Sequence, residues 1–231
     1  MRARNVREGT EWESALADGS RVRFRPITPE DKELLRRGFE QLSPESRYRR
    51  FFRHMDHLSE KDLRYLTEVD FVDHWAWLAV LPDEQGMPAV AVARWIRVAD
   101  EPSVAEAAVT VIDEYQSHGL GKTLLWLLAL SAIENGIGSF RAWVLGENDM
   151  MLGLLYEAGA PKGKWESGVM QLDIPLPDHP DQLHETPAPL VLKAVAAGQF
   201  QAESGPEPGR RTTLIPADDP ESSARRSEEP R

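Results

Sequence analysis

Cysteine occurs nowhere in the 231 residues. Its absence excludes disulfides, thiolate zinc sites and a cysteine nucleophile, and leaves the redox compartment open. Long hydrophobic runs are missing too: no stretch reaches the roughly 20 apolar residues that a membrane-spanning helix needs. The basic start Met1-Arg2-Ala3-Arg4-Asn5 is not followed by the apolar core of a secretory signal. Positive charge is scarce, with 27 Lys and Arg against 38 Asp and Glu and a formal net charge of −11. A protein that grips a nucleic-acid backbone is ordinarily basic, so nucleic acid is not the expected partner. An acidic chain attracts cationic partners such as amines at long range, although solubility alone accounts for such a charge. Internal repeats are absent. These absences leave a cytoplasmic protein with no membrane and no nucleic-acid partner as the expectation.

What is present suffices for one ordinary domain with flanking segments. Hydrophobic residues make up 41% of the chain and seven Trp add large apolar bodies. Residues 1–20 lack periodicity and read as a flexible leader. Val22–Ile27 alternates as a strand. Thr28-Pro29-Glu30-Asp31 is a helix start, with Thr28 as N-cap, Pro at the first helical position and acids in the first turn. This helix is expected to reach about Leu42. Ser43-Pro44-Glu45 starts a second helix, and Ser59-Glu60-Lys61-Asp62 a third, short one. Three strands follow, His74–Leu81, Ala89–Val98 and Ser103–Ile112, joined by short loops as an antiparallel meander. Leu120–Asn135 is an apolar helix ended by Gly136. Phe140–Leu145 is a strand, Asn148–Ala158 a helix, and Lys164–Ile174 one or two last strands. Ten of the 17 prolines lie in residues 175–231. The segment 176–231 therefore reads as a Pro-rich tail with one short helix near 189–199, otherwise disordered.

The most informative segment is Val109–Leu124. A β-branched run ends in a polar turn holding Gly-x-Gly, and an apolar helix follows at once. A strand, a glycine turn and a helix N-terminus together make an anion site, because backbone N–H groups point into the turn and the helix dipole favours negative charge. Gly121-Lys122-Thr123 has no Gly five residues earlier, where Gln116 stands, so a Walker loop fails. Leu124 stands where the dinucleotide fingerprint needs its third Gly, so that reading fails as well. A plain strand-to-helix turn without a ligand remains the alternative.

The surviving pattern, Gln116-x-x-Gly119-x-Gly121, resembles the acetyl-CoA pyrophosphate loop of the GNAT N-acetyltransferase superfamily. Two further segments are similar to that family. Val144-Leu145-Gly146-Glu147-Asn148-Asp149-Met150-Met151, with Leu155 and Gly159 beyond it, resembles its fifth strand and fourth helix. Leu42-Ser43-Pro44-Glu45-Ser46-Arg47-Tyr48-Arg49-Arg50-Phe51-Phe52 resembles its bacterial protein-lysine acetyltransferase branch. The resemblance covers residues 21–175. It implies an α/β (α+β) domain: a mixed, mostly antiparallel central sheet that splays between its strands 4 and 5, flanked by helices. It implies acetyl-CoA as co-substrate, with no metal. The backbone of Val109, Thr110 and Val111 would face the pantetheine arm. The N–H groups of Ser117, His118, Gly119, Leu120, Gly121 and Lys122 would hold the pyrophosphate beside Gln116. The Lys122 side chain could add charge, and Asn148 could bond the pantetheine arm or simply cap its helix. The regulatory nucleotide-binding domain fused to some relatives is not expected.

Acetyl transfer to an amine needs the neutral amine. At neutral pH only about one lysine in a thousand is deprotonated, so a general base helps. Glu106 is the candidate, because a carboxylate within the apolar stretch Val104–Val109 is costly unless it is paired or faces a cleft. Its place ten residues before Gln116 also matches the glutamate of the protein-lysine branch. The bland alternative is an outward-facing Glu on a solvated sheet face. A free N–H near Val111 could hold the oxyanion. Many family members carry a Tyr seven residues after the helix-start Asn. Here Leu155 holds that place, and Tyr156 is turned from it by about 100°, so no side chain is assigned as general acid. His118 reads as an exposed loop residue, Asp113-Glu114 as a solvated turn, and Trp75, Trp77, Trp95 and Trp143 as packing. The expected activity is acetyl transfer to a protein lysine. A small-amine or antibiotic acetyltransferase and a non-catalytic acyl-CoA-binding module are the alternatives, and the oligomeric state is open.

Overall fold

The computed structural model describes residues 11–16, 19–51, 53–116, 118–145, 156, 161, 163–166 and 169–184. The expected helices over 148–158 (apart from Tyr156) and near 189–199, and the expected disorder of the remaining tail, lie outside these residues. The strands are β1 (Trp12–Ala15), β2 (Arg21–Pro26), β3 (His74–Val80), β4 (Ala89–Val98), β5 (Glu101–Val111), β6 (Ser139–Leu145), β7 (Lys164–Glu166) and β8 (Val169–Pro175). They form one sheet in the order β1-β2-β3-β4-β5-β6-β8-β7. Every neighbouring pair is antiparallel except β5 with β6. The fold is therefore the mixed, mostly antiparallel sheet that the resemblance implies.

The helices are α1 (Lys32–Glu40), α2 (Pro44–Phe51), α3 (Glu60–Thr67) and α4 (Leu120–Glu134). The first three begin close to where the sequence carries a start signal. A 3-10 turn at Pro29–Asp31 leads into α1. The Asp31 carboxylate accepts the Thr28 N–H at 2.8 Å and is gripped by Arg25 at 2.6 and 2.7 Å. Ser59 caps α3 by accepting the Asp62 N–H, and Asp62 accepts the Ser59 N–H at 2.9 Å in return.

The alternation of a strand distributes the helices over two faces. Trp95 and Arg94 are adjacent in β4 and point opposite ways. Trp95 donates its indole N–H to Ser131 of α4 at 3.0 Å. Arg94 reaches the Leu66 carbonyl of α3 at 3.1 Å. So α4 covers one face and α1–α3 the other. A helix as apolar as α4 must be covered on more than one side. Leu124, Leu127 and Leu128 are fully buried.

The structure adds two coverings of α4 that the sequence reading did not have. Within the segment read as a leader, β1 pairs with β2 and sets Trp12 edge-on against Trp126 of α4, with centroids 5.9 Å apart. At the start of the segment read as a disordered tail, the chain makes a 3-10 turn over Pro180–His184 and buries Leu183 to 1% exposure. The physical reason is the same in both places: short segments take up order when a large apolar surface waits for them.

Candidate active site

The site lies where β5 parts from β6. These strands pair only from Val104 to Glu106, against Ser139 to Arg141. Beyond Glu106, β5 keeps β4 on one side as far as Ala91↔Val111 and, among the described residues, has no strand on the other. This is the expected splay, and β1 makes the two strands fifth and sixth in chain order. Backbone amides along 107–111 must find partners in that gap. Among the described residues, one is a side chain: Gln116 donates its amide to the Val111 carbonyl at 3.3 Å. An extended ligand that carries its own amides can pair with such an edge.

The strand leads into the glycine turn through buried Ile112 and a 3-10 turn at Asp113–Tyr115. Gly119 precedes α4 with φ +86°, a left-handed backbone that L side chains rarely adopt. No heavy atom lies within 4 Å of where its Cβ would stand, so backbone angle, not space, demands glycine there. The first turn of α4 holds no acid and Gly119 offers no side-chain cap. The N–H groups of Leu120, Gly121 and Lys122 thus have no carboxylate of their own helix, and the positive end of the dipole faces the turn. The His118 imidazole is half-buried and tied to the loop through Nδ1 and the Gln116 carbonyl at 2.8 Å, more enclosed than the sequence suggested. Ser117, the Lys122 side chain and Asn148 lie outside the described residues.

Asp113 is more than a solvated turn. Its carboxylate accepts the Ser43 N–H at 2.8 Å and the hydroxyls of Ser46 at 2.7 Å and Ser43 at 3.3 Å. Burial alone would raise this carboxyl, but the donors from Ser43 and Ser46 outweigh it and hold it below the ordinary range. The Ser43 hydroxyl caps α2 by accepting the Ser46 N–H at 3.1 Å, and Asp113 holds that capping residue from another element and ties the helix to the glycine turn. The side chain of Gln116 also donates to it, at 3.3 Å.

Glu106 holds the last position at which β5 pairs with β6, opposite Ile96 on β4 and Arg141 on β6. Alternation puts Glu106, Ala108 and Thr110 on the α1–α3 face, while Ala105, Ala107 and Val109 pack toward the α4 side of the core. Glu106 is half-buried, not solvated. Desolvation raises its pKa, against weaker opposing effects of the Trp143 indole N–H and the Arg141 charge. The indole nitrogen is buried and closes no hydrogen bond of ordinary geometry, so its pull on the carboxylate is small beside desolvation. Arg141 does not neutralise Glu106, because its guanidinium is spent on Glu101 at 2.7 and 2.9 Å and on Asp173 at 2.8 Å. A half-buried carboxylate of raised pKa, unpaired and beside a gap in a sheet, can accept a proton from an amine.

Trp75, Trp77 and Trp95 are core, as expected, but Trp143 stands beside Glu106. The sequence reading also passed over Arg94, although it interrupts the apolar run Ala89–Trp95 as Glu106 interrupts Val104–Val109. Applied to both strands, the same signal finds it. Among the described residues no three His, Cys, Asp or Glu side chains converge on a metal site. Nor is any described helix long and apolar enough to cross a membrane.

No protein-family profile matches the chain. It is 35% identical over 154 residues to Acetyltransferase Pat of Mycolicibacterium smegmatis, covering 67% of this chain and 45% of that protein. It is 33% identical over 129 residues to Acetyltransferase PA5475 of Pseudomonas aeruginosa, covering 56% of this chain and 69% of that one. Thus it spans less than half of the Mycolicibacterium protein. Among solved structures, the GNAT domain of S. lividans PAT superposes with a TM-score of 0.62 at 36% identity, covering 72% of this chain and 97% of that domain. With the splayed sheet, the glycine turn and this match over nearly the whole of a GNAT domain, the chain belongs to the GNAT acetyltransferase family and resembles its protein acetyltransferase branch.

Proposed function

We propose that the chain transfers the acetyl group of acetyl-CoA directly to an amine, a protein lysine, with Glu106 as general base. The observation that carries this reading is the position of Glu106: an unpaired carboxylate of raised pKa at the last rung before β5 and β6 part. The amine nitrogen must lose a proton to attack the thioester carbonyl, and Glu106 takes that proton, directly or through a water. As the carbon–sulfur bond breaks, the electron pair leaves with sulfur. A thiol pKa near 8.5 makes that thiolate a good leaving group without a strong acid. The oxyanion would be held by a free N–H of β5 near Val111.

Val109, Thr110 and Val111 would offer the edge that pairs with pantetheine. The turn from Ser117 to Lys122 would hold the pyrophosphate, with Gln116 bracing the loop from the Val111 carbonyl. Asn148 would assist from the next helix. A cytoplasmic location belongs to the same proposal.

The test is a pair of measurements on one variant. Calorimetric titration with acetyl-CoA, with ATP as control, is expected to give micromolar binding for wild type and for Glu106→Gln alike. Turnover with lysine peptides is expected to fall by ~10²-fold or more in the variant. Equal turnover would remove Glu106 from the chemistry. Silence toward acetyl-CoA would leave the glycine turn as mere structure.

A further inference from the structure

A half-open cavity of about 50 Å³ lies between α1, α2 and the sheet, on the face that carries Glu106. One water needs only roughly 10–15 Å³, so a group larger than water fits. Most of the wall is apolar, including Leu35, Phe39 and Leu42, and its polar members are Arg50, Arg94 and Thr110. All three are hydrogen-bond donors, and all three have unused capacity.

Arg94 is 1% exposed. Its Nη1 donates to the Leu66 carbonyl and to His74 Nε2, at 3.1 and 3.0 Å. Its Nε is buried without a partner. Arg50 rests its guanidinium 4.9 Å from the Phe51 ring, and among the described residues neither arginine has a carboxylate partner. The Thr110 hydroxyl is likewise buried without a partner. Other acids near this face are committed: Asp70 accepts three backbone N–H groups at 2.8–2.9 Å, and Asp62 serves Ser59.

Burial pushes Arg94 down to about 9, with the Arg50 charge adding to the effect, and burial pushes Arg50 down to about 10. Two like charges, Arg94 buried and Arg50 half-buried, without an anion between them are costly to the fold. Donors converging on a small space call for a ligand that only accepts. A carboxylate on a short apolar stem meets both the donors and the apolar wall.

We propose that Arg50 and Arg94 bind a carboxylate of the acceptor, so that its amine lies at Glu106 and its acid in the cavity beneath α1 and α2. This rests on the acetyltransferase reading of the same face. The spacing suits it. Arg94 pairs with Ala108, one face-step from Glu106, which is about 7 Å along a strand. Ala108 itself is too small to fill the space above it. The carboxylate could be the α-carboxylate of a free amino acid or the side chain of an acidic residue beside a peptide lysine.

Two matched pairs of acceptors separate these sources: lysine against lysinamide, and a capped peptide with Asp beside Lys against the same peptide with Asn. Each is titrated into the full chain loaded with CoA, and each is assayed for turnover with acetyl-CoA. The acid member of at least one pair is expected to be favoured by about 30-fold or more, the worth of a buried charged hydrogen-bond partner. Which pair responds names the source. Arg50→Gln, on the half-exposed α2, should reduce that preference to under about 3-fold while acetyl-CoA affinity holds. Arg94→Gln should do the same where thermal unfolding shows that it folds. Equal binding and turnover within both pairs, no binding of any acceptor, or a preference that survives Arg50→Gln would overturn the proposal. Acid-selective binding without any acetyl transfer would uphold the arginine site and sink the transferase reading instead.

Discussion

A single carboxylate, Glu106, carries the chemistry proposed for this chain, and its burial has a consequence for stability. Its folded-state pKa is raised by desolvation, so below the ordinary Glu range the group is neutral in both states and costs nothing. As pH rises through the folded value, the folded protein must carry a poorly solvated charge, and stability falls. Glu106→Gln is therefore expected to melt higher than wild type at pH 7 and equally at pH 4, while losing turnover. A variant less stable at pH 7 would mean the charge is well solvated. His74 has the opposite slope. Burial, and after it the Arg94 charge, depresses its imidazole to about 3, and its Nε2 can receive the Arg94 N–H only when neutral. The unfolded chain takes up a proton near 6.5, so stability is lost as pH falls from about 6.5 toward about 3. The loss is up to about 1.4 kcal/mol per unit for one proton. Urea unfolding across that range should show this slope, and His74→Gln should flatten it. Sequence marked Glu106 because a charge inside an apolar strand must have a reason. It did not mark His74, whose role exists only because Arg94 arrives from the neighbouring strand.

Among the elements, α2 and the glycine turn behave as one unit. The link is Asp113, which accepts from the first turn of α2 and from Gln116 of the loop. Asp113→Ala strands the Ser43 N–H and two hydroxyls. It should destabilise by about 1 kcal/mol, since the site is partly exposed, and loosen the helix that carries Arg50. Chemical denaturation reads the first effect, and Asp113→Asn should recover most of it. An Asp113→Ala protein of unchanged stability would show that α2 holds its place without this contact. The start of α2 was legible as Ser43-Pro44-Glu45. The Ser43 hydroxyl caps the helix locally by accepting the Ser46 N–H at 3.1 Å. That the Ser43 N–H would itself be held from 70 residues away was not legible, because a hydrogen bond between distant residues leaves no local spacing to read.

For the molecule as a whole, the question is what covers α4. The sheet buries one side, and β1 and the turn at Pro180–His184 bury others. Leu183 is 1% exposed although it lies in a segment whose proline content suggested disorder. Leu183→Ala is expected to cost about 2–5 kcal/mol, as for a core leucine. A loss below about 1 kcal/mol would show that the turn detaches without disturbing the domain. Either result is read from the unfolding midpoint of the full chain.

What depends on neighbours in the chain is legible in local sequence. The left-handed glycine before α4, the capped helix starts, the apolar α4 and the alternating strands follow from local sterics and periodicity. With the resemblance, those signals carried the element order and the location of the glycine loop. What depends on register is set by the assembled sheet. The rung at which β5 leaves β6 sets Glu106 at the mouth of the gap, and the pairing of β4 with β5 puts Arg94 beside Ala108 on the same face. A shift of one residue would send both side chains into the α4 side of the core. Register is fixed by the summed burial of many side chains from distant strands, and no local stretch of sequence encodes that sum.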